Sequence, residues 1–113
     1  MKAKIMICCG AGMSSSVLVE QMKKAAKKQG DEVEITAMAA EALMQHLQFE
    51  TYDVVMLGPQ LAFMADRLES FLKDKGPHGT AIPFEVINPL DYGRLRGAAV
   101  LARAEELILK NKK

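Results

Sequence analysis

The chain has 113 residues, 50% of them hydrophobic and 26% charged, with 15 Lys and Arg against 14 Asp and Glu for a formal net charge of +1. That is one domain of ordinary globular composition, which excludes a disordered chain and removes the need for a metal or disulfide staple. The near-zero charge excludes the basic footprint of a nucleic-acid binder, and no apolar run reaches the ~20 residues of a membrane span.

In chain order, Ala3 to Cys9 is short and apolar with Ile5 and Ile7 inside it, a first strand rather than a signal peptide. The turn Gly10-Ala11-Gly12 leads into Ser14 to Gln29, where Leu18, Met22, Ala25 and Ala26 share a helical face and Gly30 supplies the stop. Glu32 to Ala37 alternates at Val33, Ile35 and Ala37, as a more exposed strand does. Ala40 to Gln48 is a weaker helix. Asp53 to Leu57 is an almost wholly apolar run, the mark of a strand buried on both faces, and Gly58-Pro59 ends it. Gln60 to Lys73 carries the helical stripe Leu61, Met64, Leu68, Phe71 and Leu72. Lys75 to Thr80 is a loop. Ala81 to Ile87 is a fourth strand, with Pro83 near its start in keeping with an edge position. Leu90 to Asn111 is mainly a long helix, with a break expected near Gly93 or Gly97. Strict β-α alternation predicts an α/β fold: a parallel sheet covered by helices on both faces through right-handed crossovers. With no repeat or linker, residues 1–113 read as a single domain.

The segment that carries chemistry is Cys9-Gly10-Ala11-Gly12-Met13-Ser14-Ser15-Ser16, between the first strand and the first helix. Open α/β sheets bind ligands outside the carboxyl ends of their strands. A helix opens with unpaired N–H groups and a positive dipole end, and glycines let the backbone curl around an anion. The loop therefore suits a phosphate. Adjacent cysteines cannot staple a fold, so both are read as reduced thiols of a cytosolic protein. Strand alternation sends them to opposite faces, with Cys8 buried and Cys9 exposed at the mouth of the cradle. A thiolate is a nucleophile that a helix N-terminus favours, so a phosphocysteine is the expected species. Small cysteine phosphatases use a Cys-x5-Arg loop, but here Ser15 holds the Arg position, and no Lys or Arg occurs between Cys9 and Lys23. The missing guanidinium disfavours hydrolysis and favours a site that passes the group on. A cysteine-dependent phosphatase remains the alternative. A redox module is weaker, for want of a Cys-x-x-Cys.

Cys9-x-Ala11-Gly12-Met13-Ser14-x-Ser16-x-Leu18-Val19 resembles the active-site loop of the EIIB component of the bacterial phosphotransferase system, lactose/cellobiose group. The stretch Met56-Leu57-Gly58-Pro59-Gln60-Leu61-Ala62-Phe63-Met64 agrees with it, as do Val86-Ile87 and Tyr92-Gly93. The loop Lys73 to Ala81 is longer than in compact members. The resemblance implies a flavodoxin-like, phosphatase-like sheet of four parallel strands in the order 2-1-3-4. It implies that Cys9 is phosphorylated by the phosphohistidine of an EIIA partner. The group then passes to a sugar, a β-linked disaccharide such as cellobiose, chitobiose or lactose, held by membrane EIIC. The protein is then a cytoplasmic phosphotransferase seated against its transporter, with no cofactor and no metal.

The loop amides from about Ala11 to Ser16 would hold the phosphoryl group. Gln60, after the third strand, would add a donor or sit solvated at a helix start. Ser14, Ser15 and Ser16 serve as phosphate donors or as helix caps. His46 reads as a solvated helix residue and His78 as a loop residue, neither with metal-ligand spacing. Lys23, Lys24, Lys27 and Lys28 read as a solvated helix face.

Overall fold

A computed structural model describes residues 2–9, 14–76 and 79–111. Four parallel strands, β1 (Lys2–Cys9), β2 (Glu32–Ala39), β3 (Val54–Leu57) and β4 (Phe84–Val86), stand in the order β2-β1-β3-β4. The helices are α1 (Ser14–Gln29), α2 (Ala40–His46), α3 (Ala65–Phe71), α4 (Pro89–Gly93) and α5 (Gly97–Asn111). The predicted α/β architecture and strand order are those observed.

The period-two geometry of a strand divides the core into two. Ile5 and Ile7 of β1 and Val54 and Met56 of β3 face α1 and α5, meeting Leu18, Met22, Val100, Leu101 and Ala104. Met6 and Cys8, with Val55 and Leu57, face the other way onto Leu43, Leu47, Leu68 and Leu72. All four residues of β3 are buried, as its apolar run requires. Each fully buried Leu or Ile contributes roughly 1.5–3 kcal/mol.

Two elements differ from the periodicity reading, and a third, the break in the terminal helix, falls where it was expected. The helix expected from Gln60 begins as a tight 3-10 stretch, Pro59–Met64, whose Leu61 and Met64 pack only partly buried against the core. The fourth strand is shorter than Ala81 to Ile87. The Ile82 amide donates to Leu72 O at 3.1 Å, outside the sheet, and Pro83 has no N–H, so pairing starts with Pro83 O accepting from Val55 at 2.9 Å. The terminal helix is broken between Gly93 and Gly97 at Leu95, whose φ is +53°. That left-handed turn costs a leucine ~1–2 kcal/mol, offset by the packing of Leu95 against the α1–α5 core. Gly97 then lets α5 lie directly on α1: a Cβ there would sit 2.4 Å from Gln21 C. The α1–α5 contact holds the first helix on the sheet face that carries Ile5 and Ile7.

Candidate functional site

The site forms where the carboxyl ends of β1, β2 and β3 meet the helices that follow. Cys9 is the last residue of β1 and pairs with Ala39, the last of β2. Its Sγ lies 3.8 Å from Met38 O, within reach of a weak S–H donor. The expectation that Cys9 is exposed is not met: it is 6% accessible, because the extended end of β2 flanks it. What separates the two cysteines is their surroundings. Cys8 is wholly enclosed by the apolar cluster around Leu43, Leu57 and Leu68. Burial, aided by the neighbouring Cys9 and Glu41 charges, pushes the Cys8 thiol up to about 12, leaving it an inert core residue. Cys9 lines a groove of about 360 Å³ together with Ala39, Glu41, Leu61, Phe63 and Arg67. Neither cysteine is in a disulfide.

Of the predicted phosphate loop, Gly10, Ala11, Gly12 and Met13 lie outside the described residues. Ser14, Ser15 and Ser16 open α1, a 16-residue helix. Ser16 is exposed and lines a shallow groove between α1 and β2, beside Glu20, Lys23 and Thr36, rather than the Cys9 groove.

Gln60 follows β3, which neighbours β1 as expected. The Gly58 amide donates to Cys8 O at 2.8 Å, tying this third loop to the strand end that bears the cysteines. Gln60 is not simply solvated. Its Nε2 donates to the Tyr92 hydroxyl at 3.1 Å, joining the loop after β3 to the one after β4. Asn88 caps α4, its Oδ1 accepting from the Leu90 amide at 2.8 Å, which sets the turn that presents Tyr92. The Tyr92-Gly93 stretch was the signal for this second contact, but no periodicity pairs residue 92 with residue 60.

The residue that sequence reasoning missed is Arg67. The loop after Cys9 carries no cation, yet Arg67 on α3 lines the Cys9 groove from 58 positions further along the chain. The 3-10 stretch carries the chain past the groove, and fully buried Leu68 fixes the rotation of α3.

The remaining candidates lie away from the groove. His46 is half-buried rather than solvated, with Nε2 2.8 Å from Glu50 Oε2 and its ring 6.1 Å from that of Tyr52. Glu50 also binds Lys4, whose Nζ sits 4.9 Å over the Tyr52 ring, closing a surface cluster. His78 lies outside the described residues. Lys23, Lys24, Lys27 and Lys28 form an exposed face of α1, as expected. Among the described residues no helix is long and apolar enough to cross a membrane.

A family model described as "PTS system, Lactose/Cellobiose specific IIB subunit" matches residues 4–103. The chain belongs to this family. It is therefore a IIB component of a sugar phosphotransferase system of the lactose/cellobiose type. It is similar to the galactose-specific EIIB component of Lactococcus lactis subsp. cremoris, 38% identical over 107 residues, covering 92% of this chain and 94% of that one. The oligo-beta-mannoside-specific EIIB component of Bacillus subtilis is 32% identical over 106 residues, covering 94% and 96%. The solution structure of a cellobiose-specific phosphotransferase IIB component from Borrelia burgdorferi superposes with a TM-score of 0.75 at 38% identity, covering 97% of this chain and 94% of that one. A lactose-specific IIB domain from Streptococcus pneumoniae shares the flavodoxin-like fold, with a TM-score of 0.76 at 18% identity and coverage of 94% and 97%.

Proposed function

We propose that Cys9 of this IIB component accepts a phosphoryl group from the phosphohistidine of an EIIA partner and passes it to a sugar held by membrane EIIC. The activity is that of a protein-phosphocysteine–sugar phosphotransferase. The observation that carries this reading is the place of Cys9, on the wall of a groove at the carboxyl end of β1, in a chain of the IIB family. Transfer needs in-line approach and charge stabilisation more than covalent help. The thiolate electron pair forms the S–P bond as the P–N bond to the donor imidazole breaks, and the P–N bonding pair stays on the ring nitrogen. Amides of Gly10 to Ser16 hold the phosphoryl oxygens, and Gln60 adds a side-chain donor from the loop after β3. The names of two relatives, cellobiose-specific and oligo-beta-mannoside-specific, support a β-linked disaccharide as substrate. Residues 1–113 act as one EIIB domain in the cytoplasm, against the transporter.

The test is intact mass after incubation with EIIA charged by a phosphoenolpyruvate-driven transfer chain. Wild type and Cys8→Ala gain one phosphoryl group, and Cys9→Ser gains none. Equal loss in folded Cys8→Ala and Cys9→Ser proteins overturns the assignment. Arg67 in the Cys9 groove is the one observation that favours the second reading, a cysteine phosphatase, which predicts turnover of an aryl phosphate by the isolated chain.

A further inference from the structure

The groove beside Cys9 has a charge arrangement that the loop sequence alone does not suggest. Its walls are largely apolar: Ala39 and Ala40 from the β2–α2 junction, and Leu61, Phe63 and Met64 from the 3-10 stretch. Phe63 is 85% exposed. Among its described lining residues there is one cation, Arg67, and one acid, Glu41, in the first turn of α2. At about 360 Å³ it falls at the lower end of the ~300–1,000 Å³ of small-ligand sites. Arg67 is itself exposed at the edge of this groove, so its pull on an anion acts through solvent and weakens with salt.

We infer that Arg67 steers the incoming phosphoryl group of the donor to Cys9; the inference rests on the phosphoryl-carrier reading above. A phosphoryl group arriving on a donor imidazole is a dianion. No Lys or Arg lies between Cys9 and Lys23 to attract it, and the Glu41 carboxylate on α2 repels it. Arg67 is the groove's source of attraction. Its guanidinium offers a planar fork of N–H donors to phosphate oxygens. Its place on α3 is set by its neighbours, since Leu68 and Leu72 are buried in the core and leave residue 67 at the rim. A guanidinium contributed by α3, and not by the segment that follows Cys9 in the chain, speeds capture of the donor. Arg67 takes no proton and forms no bond; it donates hydrogen bonds to oxygens that travel with phosphorus from nitrogen to sulfur.

The experiment measures phosphoryl acceptance from phosphohistidine EIIA of a lactose/cellobiose system, at low and high salt, for wild type, Arg67→Ala, Arg67→Lys and Arg67→Glu. A second measurement, on a Cys8→Ala background, follows protection of Cys9 from iodoacetamide by inorganic phosphate. Arg67→Ala should accept about tenfold more slowly at low salt, with a flatter salt dependence, because loss of a steering charge acts on the association rate. Arg67→Lys should recover part of the rate and Arg67→Glu should lose more. Phosphate protection of Cys9 should weaken in Arg67→Ala, and the half-life of the phosphocysteine should stay within about twofold of wild type, the group being held elsewhere. Acceptance by folded Arg67→Ala at the wild-type rate and salt dependence overturns the inference while leaving the carrier reading intact. If wild type accepts no phosphoryl group, the carrier reading falls; equal phosphate protection in the two proteins then overturns anion recruitment by Arg67 as well, and weakened protection upholds it.

Discussion

Gly97→Ala tests whether the packing of α5 on α1 is as tight as the structure describes. Gly97 is the buried first residue of α5. A Cβ placed there lies 2.4 Å from Gln21 C, 2.5 Å from Gln21 Cβ and 2.5 Å from Met22 N. Two of those three atoms are backbone, so no rotamer change relieves them. Ordinary carbon contacts sit at ~3.5–4.0 Å, so one helix must retreat by ~1 Å. The retreat opens the contacts of Val100, Leu101 and Ala104 with the face of α1 that carries Leu18 and Met22. Overpacking costs about 1–3 kcal/mol, more where backbone must move. The better helix propensity of Ala returns at most ~1 kcal/mol, and less at a first helical position. The net expectation is a loss of about 2–3 kcal/mol, or a Tm lower by roughly 10–20 °C for a domain of this size. Urea and thermal unfolding followed by circular dichroism give both numbers. Gly93→Ala is the control: nothing lies within 4 Å of its added Cβ, and it should be neutral or slightly stabilising. A Gly97→Ala protein within about 0.5 kcal/mol of wild type, the scatter of ordinary surface changes, would refute the packing argument.

Tyr92→Phe removes the hydroxyl that accepts from Gln60 and should cost about 1 kcal/mol in urea unfolding. Gln60→Ala added to it should cost little more; fully additive losses in the double-mutant cycle would mean the pair is not coupled. Glu105 governs a pH dependence: burial first, then the hydrogen bond and charge of Asp31, pushes its carboxyl up to about 7. The folded chain then holds a proton that the unfolded chain, at ~4.3, has released, so the stabilisation is complete below that value and is lost as pH rises through 7. Asp31 shifts downward, chiefly by its hydrogen bond with Glu105, so its own contribution is lost only in stronger acid. After allowance for solvent screening, stability should fall by ~1 kcal/mol between pH 5 and pH 8. Glu105→Gln should flatten that slope; equal slopes in the two proteins would show that the carboxyl pair does not titrate as described.

How far residue order alone carried the reading can be judged element by element. The β3 run and the α1 stripe were plain in the sequence because strand and helix periods are local, and the alternation of elements then dictated parallel crossovers. The Cys9 loop was legible for the same reason: glycines, serines and a thiol fall together in eight consecutive residues. Where tertiary contacts compete with local pattern, the sequence was silent. The length of β4 depends on Ile82 bonding to Leu72 instead of the sheet, and the break at Leu95 depends on a core that tolerates its left-handed turn. Both cysteines read as alternating strand residues, but the depth of Cys9 is set by how far β2 extends beside it. The link of Gln60 to Tyr92 and the entry of Arg67 into the Cys9 groove span 32 and 58 positions. No local period encodes such distances; they exist because the sheet brings four strand ends to one edge, and only the folded chain decides which side chains meet there.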